Sequence, residues 1–189
     1  INVEKPFLDK LRQLGWQVID QGLGVPQEPS KSLRENFKQV LLPNVFKDSI
    51  KAINKTSDGR AWLTDKQLED VLTEIQSFSG KTLHEANKEI HRLLVKGTTV
   101  NKNEITGEIN PTVRLVDFRN YDKNSFIAIN QFRLLTPGAS RTGVIPDIVL
   151  FLNGLPIVVV EAKDLEVAEP LSEAYLQVTR YANTRQDDY

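Results

Sequence analysis

Three residues near the end of the chain have the types and spacing that phosphodiester hydrolysis requires. The segment I-P-D-I-V-L-F-L-N-G-L-P-I-V-V-V-E-A-K-D, from Ile145 to Asp164, carries one carboxylate at each outer end of an apolar hairpin, Asp147 and Glu161. Asn153-Gly154 is a turn signal between the two strands, and Pro156 just behind it leaves the turn geometry open. A two-residue turn pairs Leu152 with Leu155 and, counted back, sets Asp147 opposite Val160, one residue short of Glu161. One bulge, or a longer turn, brings the two carboxylates face to face. Alternation along the second strand puts Glu161 and Lys163 on one side and leaves the Ala162 backbone carbonyl near the same edge.

Two carboxylates, a carbonyl and water make a hard oxygen site suited to Mg2+, which needs few protein ligands. Such a metal polarises a scissile phosphate and stabilises the departing oxygen. Lys163 can hold or help deprotonate the attacking water and offset charge on phosphorus. As spacing alone, D-x13-E-x-K also fits three solvated strand ends. Two neighbours favour the chemical reading. Pro146 directly precedes Asp147, and Gln177 and Tyr181 stand at i, i+4 on one face of a final helix.

The elements that must position these groups are legible in the apolar periodicity. Phe7, Leu8, Leu11 and Leu14 recur at helical spacing between Val3 and Leu14, and Gly15 ends the run. Residues 21 to 29 are rich in Gly and Pro and are expected to be loop. Apolar residues from Leu33 to Ile53 predict helix, kinked or split at Pro43. Thr64 is the expected N-cap of a helix through Leu68 and Ile75, and Thr82 or Lys81 that of another ending at Gly97.

After Gly97 the period changes to two and the residues become β-branched and aromatic. Strands are expected at Thr98 to Val100, Val113 to Phe118, Ser125 to Leu135, Ile148 to Leu152 and Ile157 to Val160. A helix is expected from Glu169 to Asn183. One globular unit follows, with a helical first half (1–97), a strand-rich catalytic half (98–168) and the Gln177 helix (169–183). The expected class is α/β, with a mixed, largely antiparallel curved sheet flanked by helices.

Composition narrows the alternatives. With 189 residues and 40% hydrophobic content the chain can bury a real core. It contains no cysteine, which rules out disulfides, thiolate zinc sites and a cysteine nucleophile. No membrane span or signal peptide is visible, so a cytoplasmic location is the expectation. The net charge of −1 argues against a surface that binds nucleic acid all over. A local strip of cations from Lys31 to Arg60 could still meet phosphates or be an ordinary solvated face. His84 and His91 are two helical turns apart, too far for a zinc pair, and read as structural. There is no phosphate loop for ATP. The absence of a methionine before Ile1 suggests a piece of a longer chain.

The phrase from Val144 to Lys163, followed by Q-x3-Y, resembles the signature of the motor-nuclease (R) subunit of type I restriction enzymes, PD-(D/E)xK nucleases. Further phrases match that family in order: E-x2-F-L-x2-L-x2-L-G-W from Glu4, V-L-L-P-N-V-F from Val40, E-A-N-K-E-I-H-R-L-L from Glu85, V-D-F-x-N from Val116 and N-x-F-I-A-I-N-Q-F ending at Phe132.

The resemblance implies a restriction-endonuclease-like fold and Mg2+-dependent cleavage of unmodified duplex DNA. It makes Asp147 and Glu161 metal ligands, Lys163 the catalytic lysine, and Gln177 and Tyr181 supporting or DNA-contacting residues. Glu4 matches the acidic residue that related nucleases add from their first helix. The implied partners are methyltransferase and specificity subunits, and ATP would serve only a helicase-like motor downstream of this chain. The alternatives are another PD-(D/E)xK nuclease, for repair or junction resolution, and a non-catalytic DNA-binding or docking module.

Overall fold

The computed structural model describes residues 3–77, 81–135, 143–163 and 169–183. In chain order the elements are α1 (Glu4–Gln13), β1 (Gln17–Ile19), α2 (Pro43–Ile53), α3 (Asp65–Gln76), α4 (Leu83–Lys96), β2 (Thr98–Thr99), β3 (Thr112–Val113), β4 (Phe126–Asn130), β5 (Ile148–Leu152), β6 (Leu155–Val160) and α5 (Pro170–Asn183). The chain divides into two compact units, Ile1–Leu42 with Phe126–Tyr189, and Pro43–Ser125.

The first unit holds a sheet in the order β1-β4-β5-β6. β1 runs parallel to β4, whereas the β4–β5 and β5–β6 pairs are antiparallel. This is the mixed, mostly antiparallel sheet with flanking helices that the sequence predicts. Residues 17–19 had no predicted element, because three residues are too few to reveal a period, and they form a strand only by pairing with β4. Leu8 and Leu11 of α1 are buried against Ala128, Ile148 and Leu150 of the sheet. That stripe of i, i+3 apolar residues seats the helix on the strands.

The hairpin of β5 and β6 carries Asp147 and Glu161 at its outer ends. Asn153 and Gly154 take φ of 52° and 78°, the left-handed pair that a tight antiparallel turn needs. Leu152 pairs with Leu155 and Phe151 with Pro156, after which the register shifts and Leu150 pairs with Val158. The extra residue is Ile157. Pro156 has no N–H to give the ladder, and a bulge is where a strand accommodates such a residue.

The expected helix from Leu33 to Leu42 is not formed, and only α2, beginning at Pro43, is helical. Tertiary bonds outcompete the i−4 ladder here. The buried Arg34 guanidinium donates to Ser32 Oγ (3.0 Å), Gln39 O (2.9 Å) and Arg133 O (3.0 Å), and lies 3.6 Å from the centre of the Phe132 ring. Burial lowers its pKa to about 10, so it stays charged at neutral pH. Leu135 N–H donates to Phe37 O and Leu42 N–H to Gly154 O, which ties this segment to the β5–β6 hairpin.

The second unit buries Phe46 and Ile50 of α2, Leu68 and Leu72 of α3, and Leu93 of α4. Thr64 and Thr82 each form a capping box, with Gln67 and Glu85 respectively, as their spacing predicts. The strand expected from Val113 to Phe118 stops at Val113. Asp117 instead closes a turn, its Oδ1 accepting the N–H groups of Arg119 and Asn120, both at 3.0 Å. The side chain of Asn124 donates to Asp117 O and accepts from Asp117 N–H. Those bonds replace a ladder.

Two stability predictions follow from these contacts. Gly97 has φ of 78°, and a Cβ there would lie 2.3 Å from Val113 O, so Gly97→Ala combines left-handed strain with a backbone clash. Thermal unfolding should register a loss of at least about 1–2 kcal/mol. Arg34→Met leaves three buried acceptors without their donor and should cost about 3 kcal/mol locally. Amide exchange at Leu42 and Leu135 should speed up accordingly, and unchanged protection there would contradict the role given to Arg34.

Candidate active site

The bulge shifts the β5–β6 register so that Ile148 pairs with Val160. Continued by one residue, that register sets Asp147 opposite Glu161, the arrangement for which the sequence required a bulge. Just past that pair, Ala162 N–H donates to Asp147 Oδ2 at 2.7 Å. The backbone group of Ala162 that the structure engages is therefore its N–H. Both carboxylate oxygens of Glu161 are shut off from solvent. Lys163 Nζ donates to Gln177 Oε1, so the E-x-K strand and α5 meet through the two residues that the sequence had singled out. Tyr181 lies in the last turn of α5, but its side chain falls outside the described residues.

On the other side of Asp147 the β4–β5 register, in which Asn130 pairs with Ile148, brings Gln131 opposite Asp147. Gln131 N–H donates to Asp147 O at 2.7 Å. Its side-chain Nε2 lies 3.2 and 3.3 Å from the two carboxylate oxygens of Glu4. Burial raises the Glu4 pKa, and the negative charges of Asp147 and Asp20 push the same way, while hydrogen bonds from Gln131 and Asn130 pull it down. The first-helix carboxylate thus feels the charge of Asp147.

Sequence reasoning overlooked the supporting polar groups. Asn130 Nδ2 donates to Asp20 Oδ1 at 2.9 Å, and Gln21 Nε2 donates to Asn130 O at 2.8 Å and Gln131 O at 3.1 Å. The available signal was the N-Q-F phrase, a polar pair ending an apolar strand. In isolation such a pair also fits an ordinary strand end.

The donor set fits a hard cation. It consists of carboxylates, with no imidazole or thiolate among them, and their mutual repulsion at Glu4 is what a divalent ion would relieve. Among the described residues no three acidic or imidazole groups converge as a preformed cage.

In the basic stretch from Lys31 to Arg60, most of the cations have local partners. Lys31 pairs with Glu28, Lys47 with Glu69, Lys51 with Asp65 and Arg60 with Asp58, and Arg34 is buried. Those four ion pairs are of the kind found on a solvated face. His84 and His91 are exposed on α4. No described helix is long and apolar enough to cross a membrane.

Residues 2–189 match the family model for the type I restriction enzyme R protein N terminus. The chain is 27% identical over 181 residues, 95% of its length, to the type I restriction enzyme HindI endonuclease subunit of Haemophilus influenzae. It is likewise 27% identical over 173 residues, 92% of its length, to a Methanocaldococcus jannaschii protein named as the type I restriction enzyme MjaIXP endonuclease subunit. In each case the chain spans only 16% of the relative's own length. A match along the whole chain, together with the order of the matching phrases, means that the chain belongs to the family of type I restriction enzyme R protein N-terminal domains.

Proposed function

We propose that this chain, as one endonuclease domain spanning 1–189, is the nuclease part of a type I restriction enzyme R subunit, hydrolysing phosphodiester bonds of unmodified duplex DNA. The observation that carries the reading is the bulged register that brings Asp147 and Glu161 opposite one another, with Lys163 two residues on and held by Gln177. Asp147 and Glu161 would hold magnesium, with the Ala162 carbonyl and Glu4 completing the protein's share. Bound there, the ion would polarise the scissile phosphate and stabilise the departing oxygen.

Lys163 orients the attacking water and offsets charge building on phosphorus. Gln177, by accepting from Lys163 Nζ, limits where that ammonium can point, and Tyr181 is assigned to DNA contact. The remaining five-sixths or so of a relative's length would hold an ATP-driven helicase-like motor, consistent with the 16% coverage. Cutting would follow translocation by a complex that also contains methyltransferase and specificity subunits, in the cytoplasm.

Asp147→Ala, Glu161→Ala and Lys163→Ala in the assembled complex should each reduce linearisation of a circular plasmid carrying the recognition site by at least about 10^3-fold. ATP hydrolysis on the same preparations should stay intact, and double variants should be no worse than single ones. Full cutting by the Lys163 variant would remove the mechanism. Retained DNA binding with no cutting by the wild type at any magnesium concentration would favour a docking module.

The ion pairs of Lys47 and Lys51 lead to a separate expectation. Replacing both with alanine should leave the log-log salt dependence of DNA binding unchanged. A slope reduced by about two would instead place them on the DNA path.

A further inference from the structure

Gln131 follows the last residue of β4 and has φ of 49°, a left-handed conformation that a non-glycine residue adopts only under constraint. Its peptide is pinned from both sides. The N–H donates to Asp147 O at 2.7 Å, the carbonyl accepts from Gln21 Nε2 at 3.1 Å, and the next N–H, of Phe132, donates to Pro146 O at 3.0 Å. Backbone strain that the surroundings over-determine in this way belongs with functional sites. Its consequence here is specific. The side-chain amide reaches across to α1 and sits 3.2 and 3.3 Å from the two oxygens of Glu4.

We infer that Gln131 is a positioning residue of the nuclease centre, one residue that ties the Glu4 carboxylate of α1 to the Asp147 backbone and so sets how the helix acid stands to the strand acids. The inference rests on the reading of Asp147 and Glu161 as the hydrolytic centre. The chemistry of the amide fits the task. It is a neutral donor, so it holds a carboxylate without cancelling the charge that a cation would need. A lysine or arginine here would compete with the cation, and a glutamate would repel Glu4.

The test uses the full protein in its complex. Glycine adopts positive φ freely, so Gln131→Gly should preserve the backbone and the melting temperature while removing the amide. The readouts are the magnesium concentration for half-maximal plasmid cleavage, calorimetric binding of calcium ions without ATP, the melting temperature and ATP hydrolysis. Gln131→Gly is expected to need about tenfold more magnesium and to bind calcium correspondingly more weakly, equivalent to about 1.4 kcal/mol. Melting temperature and ATP hydrolysis should match wild type. Glu4→Ala should behave alike, the double variant should be no worse than the worse single one, and Gln131→Glu should be more impaired than Gln131→Gly.

Wild-type magnesium dependence and calcium binding in Gln131→Gly, or additive losses in the double variant, would overturn the inference while leaving the nuclease reading in place. Wild-type cutting by Glu161→Ala would instead overturn the nuclease reading itself, and with it the role given to Gln131.

Discussion

A proline close behind a two-residue turn governs which carboxylates can meet. The Asn153-Gly154 turn pairs Leu152 with Leu155, and in an unbroken ladder that register would carry Asp147 to Val160. Pro156 cannot donate to the ladder, the register shifts beside it, and Ile157 is the added residue. Since side chains alternate along a strand, a shift of one residue changes which groups face each other for the whole remainder of β6. Asp147 then stands opposite Glu161, and the Ala162 N–H reaches Asp147 Oδ2. The turn itself is anchored from outside the hairpin, because Gly154 O accepts from Leu42 N–H.

Asp147 also depends on the opposite side of its strand. The β4–β5 register delivers Gln131 to it, Gln131 reaches Glu4 on α1, and α1 is seated by Leu8 and Leu11 on the same sheet. The acidic groups therefore come from a helix and two strands whose relative placement is set by apolar burial, with polar contacts adding direction. This division of labour is physically sensible. Burial of aliphatic side chains is strong but non-directional, whereas hydrogen bonds contribute little net energy and much geometry. Carboxylates that feel one another, with Glu4 raised in pKa by burial and by its acidic neighbours, need both.

The segment between residues 33 and 42 shows the same logic acting against local preference. Its apolar spacing suits a helix, yet it is held as irregular chain by the buried Arg34 guanidinium and by main-chain bonds to Gly154 and Leu135. The helix that does form begins at Pro43, where a missing N–H has no cost. The segment so released from helix is the one that braces the Asn153-Gly154 turn.

Local signals sufficed for much of this protein. Thr64 and Thr82 carried their own capping partners three residues on, Asn153-Gly154 carried its own turn, and alternation placed Glu161 and Lys163 on one side. The proximity of Asp147 to Glu161, and of Lys163 to Gln177, was legible because their spacing lies within one hairpin and the helix that follows, where distances are set by strand and helix periods. Tertiary structure alone decided the strand at residues 17–19, the loss of helix at residues 33–42, and the meeting of Glu4 and Gln131 beside Asp147. Those depend on partners far away in the chain, Arg34 being 99 residues from Arg133 and Gln131 127 from Glu4. No local period encodes such a pairing, because it comes into being only when the sheet and α1 bury their apolar faces together.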